Sequence, residues 1–439
     1  MAQATTTPDD QATTRKSFAG TGIGNALEWY DWGIYSTLTA FIASHMFSKA
    51  DPTSALLSTL AVFAVGFLAR PIGGLLFGRV ADRRGRKLSL MLSVGLASVG
   101  SLLIGVTPTF DQIGVWASVL LLTARLLQGL AHGGELPAAQ TYLSEKAPAA
   151  RRGLWSSWIY FSGTVGNLAG LLLAALLTTT LGKDTMNDWG WRVPFIVGAV
   201  VGLYALVLRR SMTETEVFTD DVEDRGAGQG LWASLGEHKK QAAQVIGMTM
   251  GFTVIYYVWA INAPAYAQTT LKIDATSALW AGVVGNLVFL VCLPLWGMLS
   301  DRVGRKPVLI SALAGAVILY IPMNALLKDS AWQLAVSMSV MLAVIAAVSS
   351  IGPAVYAEMF PTHVRAAGFG FPYSIAIALF GGTAPLIQAW MAERFKSTGV
   401  FPFYAIALML ISGLTILTLP ETKGIDLHEV ARPAEPAVR

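Results

Sequence analysis

Six ionisable side chains stand inside stretches that are otherwise apolar. Residues 24–35 read GNALEWYDWGIY and place Glu28, Asp31 and Tyr35 at i, i+3 and i+7, which is one helix face. Residues 125–135 read RLLQGLAHGGE and place Arg125, Gln128, His132 and Glu135 at i, i+3, i+7 and i+10, again one face. Arg70 interrupts a third apolar run. Charges inside such runs are costly and mark substrate or proton paths. A carboxylate beside a guanidinium is a competent proton switch. Paired, it stays ionised; when the arginine is drawn to an anionic substrate, the protonated form is favoured. At about 1.5 Å of rise per residue, Glu28, Arg70 and His132 fall roughly 12 Å from the inner helix ends, and Asp31 and Arg125 roughly 17–22 Å. Two clusters are expected: Asp31 with Arg125, and Glu28 with Arg70, His132 and Glu135. Proton coupling is therefore assigned to Asp31, Glu28, Arg125, His132 and Glu135. The alternatives are static buried pairs that fix helix register and, for His132, a plain hydrogen-bonded histidine.

The later half of the chain carries no Asp, Glu, Lys or Arg deep within its apolar runs. It has Tyr256, Tyr257, Trp259, Asn262, Tyr266, Asn286, Tyr373 and Gln388, and Pro264 breaks one run beside Asn262. A proline there frees backbone groups next to a cavity. The first half thus reads as charge-handling and the second as a polar, aromatic wall, with ordinary packing and interface aromatics as the alternative. Substrate contacts are assigned to Arg70, Arg125, Tyr35, Tyr256, Tyr257, Asn262 and Gln388.

The elements that must position these groups are membrane helices. Apolar residues are 54% of the chain and charged residues only 13%, with a mean hydropathy of +0.55. A soluble globule carries about 25% charged residues, so a solvated surface for this length is excluded. Twelve apolar spans are expected near 20–46, 55–78, 88–107, 114–140, 154–181, 191–209, 242–270, 276–299, 308–327, 332–357, 366–392 and 400–419. Each approaches the roughly 20 residues that cross a bilayer core. With both termini inside, 22 of the 31 Lys and Arg lie on the inner side, as the positive-inside rule requires. Trp189 and Trp191 then fall at the outer interface, where an aromatic belt belongs. The single cysteine, Cys292, excludes an internal disulfide. The basic pI near 9.1 reads as membrane topology, not as a nucleic-acid partner.

A ten-residue string occurs twice, 219 residues apart: GRVADRRGRK at 78–87 and GMLSDRVGRK at 297–306. Both follow one apolar span and precede another. The chain is therefore expected to be a duplicated bundle: a disordered cytoplasmic tail at 1–19, a six-helix half at 20–209, a linker at 210–241, a second half at 242–419 and a tail at 420–439. Repeats of this kind build one large class of transporters. Asp82 and Asp301 can accept from helix N-terminal amides or from arginines, making a latch that breaks as the halves rock. A cytoplasmic gate is assigned to Gly78, Asp82, Arg83, Gly85, Arg86 and Lys87, and to Gly297, Asp301, Arg302, Gly304, Arg305 and Lys306. The matched strings EKAPAARRG (145–153) and EMFPTHVRAAG (358–368) add Glu145 with Arg151 or Arg152, and Glu358 with Arg365. Simple topology anchoring is the alternative. The sequence contains no phosphate-loop string, Cys/His metal cluster or nucleophile elbow, so no cofactor, no metal and no enzymatic chemistry are expected.

The doubled decapeptide resembles the inter-helix motif of the major facilitator superfamily. Together with FLARPIGGLLFGRVADRRGRK (67–87), YLSEKAPAARRG (142–153) and DWGWRVPF (188–195), the strings above are similar to the metabolite:H+ symporter family, nearest its 2-oxoglutarate permease branch. The resemblance covers about residues 20–425. It implies twelve helices in two pseudo-symmetric halves, alternating access driven by protons, cytoplasmic termini and a bacterial inner-membrane location. It carries over Glu28, Asp31, Arg70, Arg125, Glu135 and Arg192, the last as a further substrate contact. His132 and Leu136 depart from the usual pattern, and PETKG (420–424) resembles sugar porters. The expected function is import of a small organic acid with a proton, by a monomer embedded in lipid. The alternatives are symport of a zwitterion such as proline or betaine, with Tyr256, Tyr257 and Trp259 as a cation–π box, and remotely a non-transporting ligand sensor.

Overall fold

The computed structural model describes residues 8–84, 86–133, 135–210, 236–361 and 365–427. Side chains are described there except at 8–21, 78–79, 81–87, 90, 135–139, 142, 208–210 and 366–367. The described residues are mostly helical and include no strand. We number the twelve spans α1 to α12. The first half comprises α1 (Pro8–Thr37, continued by Thr39–Met46), α2 (Pro52–Arg84), α3 (Arg86–Val106), α4 (Val115–His132, continued by Glu135–Lys146), α5 (Arg152–Asp188) and α6 (Val193–Arg210). The second half comprises α7 (Lys239–Tyr256, continued by Ala263–Thr269), α8 (Ala275–Val303), α9 (Arg305–Leu326), α10 (Ala331–Glu358), α11 (Arg365–Ala376, continued by Ala384–Phe395) and α12 (Phe401–Leu417). Among the described residues, nine helices are long and apolar enough to cross a membrane, and Met91–Val106 and Phe401–Leu417 are shorter apolar helices. The first helix, diluted by Glu28 and Asp31, completes the twelve.

Two boundaries differ from expectation. Residues 8–19, expected as part of a disordered tail, extend α1 as helix. The PETKG end is not a free tail either: residues 420–427 bond back to the bundle, as described below.

The halves face each other along α5 against α8 and along α2 against α11. Within the first half, α2 and α4 approach through small residues. A Cβ on Gly133 would lie 1.9 Å from the Arg70 carbonyl oxygen, and one on Gly73 would lie 2.0 Å from that of Leu130. Small residues permit such contact between membrane helices. The contact places Arg70 beside the end of α4 that bears His132. Large apolar side chains such as Ile72, Val200 and Leu414 are exposed on the outside of the bundle, the surface that meets lipid. Trp189 is half-exposed there, whereas Trp191 is fully buried against the His45 ring and is not a belt residue.

Candidate functional site

At one end of the bundle, the inner end in the orientation expected from sequence, the repeated motif ties the two halves together. Asp301 closes α8, and its carboxylate accepts from the Gly153 and Leu154 amides at 2.8 and 2.9 Å. Those amides open α5, so the acid sits at the positive end of a helix in the other half. Arg305 also donates to Asp301, at 2.8 Å. The expected pairs Glu145–Arg151/Arg152 and Glu358–Arg365 are exchanged between halves. Arg365 donates to Glu145 at 2.6 Å, and Arg152 donates to Glu358 at 2.9 Å. The reason is that α4 packs against α10 and α11 here, which brings each acid nearer the other half's arginine. Arg151 is exposed.

Glu421 seals the same region from the PETKG segment. Its carboxylate accepts from the Arg305 and Lys306 amides at 2.8 and 3.0 Å, the start of α9. Burial alone would raise its pKa, but the Arg305, Lys423, Lys306 and Thr422 amides together hold it below the usual carboxylate range. Gly304 precedes that start at φ +113°, a backbone that favours glycine. Lys306 donates to the Leu417 and Leu419 carbonyls, closing the end of α12. Arg302 is exposed, and its carbonyl accepts from Lys423. Gly297 lies against the Gly153 carbonyl, where a Cβ would stand 2.8 Å away. The first copy's Gly78, Asp82, Arg83, Gly85, Arg86 and Lys87 lie outside the described residues or side chains, and so does the Glu135 side chain.

Inside the first half, α1 presents Glu28 and Asp31 to α2, α3 and α4. Glu28 pairs with Arg70 at 3.7 Å. The Arg70 guanidinium stacks over Trp32 at 4.1 Å and over Phe67 at 4.5 Å. Arg125, fully buried, stacks over the same Trp32 at 4.0 Å and over Tyr35 at 4.3 Å. Aromatic faces offset part of the cost of burying a guanidinium. The expected Asp31–Arg125 ion pair is not formed. Arg125 donates to Gln128 at 2.8 Å, Gln128 donates to Ser101 at 2.8 Å, and Ser101 donates to Asp31 at 2.9 Å. Trp32 and Tyr35 hold the guanidinium back, and α3 inserts Ser101 between acid and base. Glu28, Asp31 and His132 line a small pocket walled by α3 and by Gly198 and Gly202 of α6.

A second, small pocket lies between the halves. Its walls are Trp29 of α1, Tyr160 of α5, Thr249, Tyr256 and Tyr257 of α7, Ser349 and Tyr356 of α10, and Tyr373 of α11. The ring centroids of Trp29 and Tyr256 are 5.6 Å apart, and those of Tyr160 and Tyr256 are 5.5 Å apart. Tyr160 and Tyr373 share a hydroxyl hydrogen bond of 3.0 Å, and Tyr356 shares one of 2.8 Å with Thr249. The Tyr257 hydroxyl is buried without a hydrogen-bond partner. A π-helical segment, Tyr257–Asn262, interrupts α7, and a second, Ile377–Gly381, interrupts α11. Such widened turns are frequent at functional sites.

Of the residues assigned to substrate, only Tyr256 and Tyr257 line this cavity. Arg70 stands one ring behind it, since its partner Phe67 packs edge-on against Tyr257 at 5.0 Å. Arg125 lies inside the first half. The Tyr35 hydroxyl donates to the Thr59 carbonyl. Asn262 accepts from Ser36 at 3.3 Å, and Asn286 donates to the Ala260 and Gly282 carbonyls. Gln388 is buried in the outer part of α11, away from the cavity. Arg192 donates to the Gly105 and Thr107 carbonyls and caps α3. Trp259 packs on Tyr320 rather than joining the box. Trp29, Tyr160, Tyr356 and Ser101 were not singled out in sequence. Trp29 stood next to the charged face, but Ser101 and Tyr160 sit in ordinary apolar runs that give no signal.

The family model described as Sugar (and other) transporter matches residues 19–225 and 210–433. The alpha-ketoglutarate permease of Escherichia coli K12 is 36% identical over 435 residues, covering 97% of this chain and 99% of that protein. The putative proline/betaine transporter of Staphylococcus haemolyticus is 33% identical, covering 93% and 88%. The proline/betaine transporter of Escherichia coli K12 is 30% identical, covering 95% and 86%. A solved structure of the proton:xylose symporter XylE bound to 6-bromo-6-deoxy-D-glucose superposes with a TM-score of 0.73 at 20% identity, covering 94% and 97%.

Proposed function

This chain belongs to the sugar and metabolite transporters of the major facilitator superfamily, and from that premise we propose that it imports a small organic acid together with a proton. The substrate in this reading is a mono- or dicarboxylate of the 2-oxoglutarate kind, carried across a bacterial inner membrane by alternating access. The observation that carries it is the pairing of a hydroxyl-lined central pocket with the buried Glu28–Arg70 pair, whose guanidinium lies one ring away. The substrate carboxylate accepts from the free Tyr257 hydroxyl and draws Arg70 past Phe67. The Glu28–Arg70 contact, at 3.7 Å, is longer than the roughly 2.7–2.9 Å of a strong charge-assisted bond, so it yields readily. Asp31, with Glu28, takes the proton. The inner latch opens when the loaded halves rock, and the cavity then meets the cytoplasm. Binding of substrate and proton are linked reciprocally, as any two coupled sites must be.

The test is uptake of labelled 2-oxoglutarate into proteoliposomes with an inward proton gradient and with the gradient collapsed. Gradient-dependent accumulation is expected, with Asp31→Asn losing accumulation while keeping counterflow. Full accumulation by Asp31→Asn removes Asp31 from the proton step.

One observation favours a second reading. Among the described residues no Lys, Arg, Asp or Glu lines the central pocket, whereas Trp29, Tyr160, Tyr256, Tyr257, Tyr356 and Tyr373 do. Such a box suits the ammonium group of a zwitterion such as betaine or proline, with the carboxylate toward Arg70. Uptake of labelled betaine separates the two: gradient-dependent accumulation is expected in the second reading and none in the first.

A further inference from the structure

We propose that Ser101 and Gln128 are positioning residues of the proton step, relaying the charge of Arg125 to Asp31 across α1, α3 and α4. The inference rests on the reading of Asp31 as the proton carrier. Its ground is the direction of the three hydrogen bonds. Arg125 donates to Gln128, Gln128 to Ser101 and Ser101 to Asp31, each at 2.8–2.9 Å, so every dipole points from the cation to the anion. All four side chains are at least nine-tenths buried. Arg125 Nε and Nη2 have no hydrogen-bond partner, so Gln128 provides the hydrogen bond that steers this guanidinium. Chains of this kind polarise one another, and their members are strengthened together.

A proton on Asp31 turns the acceptor at the end of the chain into a donor. Ser101 then no longer donates to a negative oxygen, and the chain loses the charge that polarises it. The Gln128–Arg125 bond weakens at the far end. Protonation is thereby felt on α3 and α4 without contact between Asp31 and Arg125. Other groups face the same acid. Glu28 and Tyr30 lie on α1, His132 on α4 and Arg70 on α2, while α6 presents only Gly198 and Gly202. Tyr160, Tyr256 and Tyr257, from α5 and α7, pack on Trp29, which lies on the opposite face of α1.

The experiment does not need the transported substrate. Infrared difference spectroscopy of the purified full-length protein follows the protonated carboxyl stretch as a function of pH, and Asp31→Asn identifies the Asp31 band. In Ser101→Ala and in Gln128→Ala the midpoint of that band is expected to move by about one pH unit toward alkaline pH, the equivalent of one hydrogen bond to an ionised group. Ser101→Thr keeps the hydroxyl and is expected to keep the midpoint. If both alanine variants titrate as the parent does, the relay is overturned while the proton-carrier reading stands. If Asp31→Asn leaves the pH-dependent spectrum unchanged, both fall together. A Ser101→Ala midpoint that moves but is not restored by Ser101→Thr also overturns the relay, since repacking alone would produce it.

Discussion

At the scale of single residues, the chemistry here is set by what each buried group touches. Tyr257 is the clearest case. Its hydroxyl lines the central cavity without a partner, so Tyr257→Phe leaves the fold intact. In the proposed role it weakens apparent substrate affinity about fivefold to tenfold, one neutral hydrogen bond, as read from the KM of proteoliposome uptake. A glycine makes the opposite prediction. A Cβ on Gly166 of α5 would fall 1.8 Å from the Ala26 carbonyl of α1. Gly166→Val therefore separates two helices that carry the site, at a cost of about 1–3 kcal/mol, visible as a lowered Tm in detergent. The helical faces of Glu28 with Asp31 and of Arg125 with His132 were legible in sequence. The partners were not. A spacing fixes which side of its own helix a residue occupies, but Ser101 reached Asp31 only because α3 was packed there.

At the scale of elements, helix ends dominate. Glu421, in the PETKG segment, bonds the first amides of α9, and Asp301 bonds the first amides of α5. Both place an acid at a positive helix end. The lowered pKa of Glu421 fixes the sign of its pH dependence. A carboxyl held below its ordinary 4.5 contributes stability that is fully present above that value and is lost as pH falls through the lowered one. Glu421→Gln is thus expected to lower the Tm near pH 7 and to remove part of its fall as the pH drops below 4.5. Parallel curves for parent and variant would show that the bond contributes nothing. The π-helical segments of α7 and α11 were not legible. Pro264 marked one of them, but a widened turn depends on which neighbouring group takes the displaced carbonyl, here Asn286 for Ala260.

At the scale of the whole molecule, the two halves are held at their inner ends by exchanged ion pairs. Arg152–Glu358 is nearly inaccessible to solvent, with side-chain exposures of 3% and 0%. Removing one partner of such a pair costs about 3–5 kcal/mol, because the other charge is left buried. Arg152→Ala is expected to shift the population by more than tenfold toward a conformation open at the cytoplasmic face. Spin labels on the inner ends of α5 and α10, with Cys292 replaced by Ser, would report it as a longer distance by electron–electron resonance. An unchanged distance distribution would show that Asp301 and Arg365 suffice to hold the closure. The sequence by itself determined the membrane setting, the duplication, the twelve helices and the identity of the charged residues. Each of these follows from composition, from period along the chain or from one string read twice, all of which are local. Only the tertiary structure decided that Glu145 and Glu358 exchange arginines, that Asp31 meets Arg125 through two intermediaries, that Arg192 caps α3, and that Trp29 and Tyr160 of the first half join the aromatic wall. Those outcomes depend on which helices are neighbours and how far each is rotated, and in a bundle whose outer face meets lipid the apolar pattern alone does not fix that rotation.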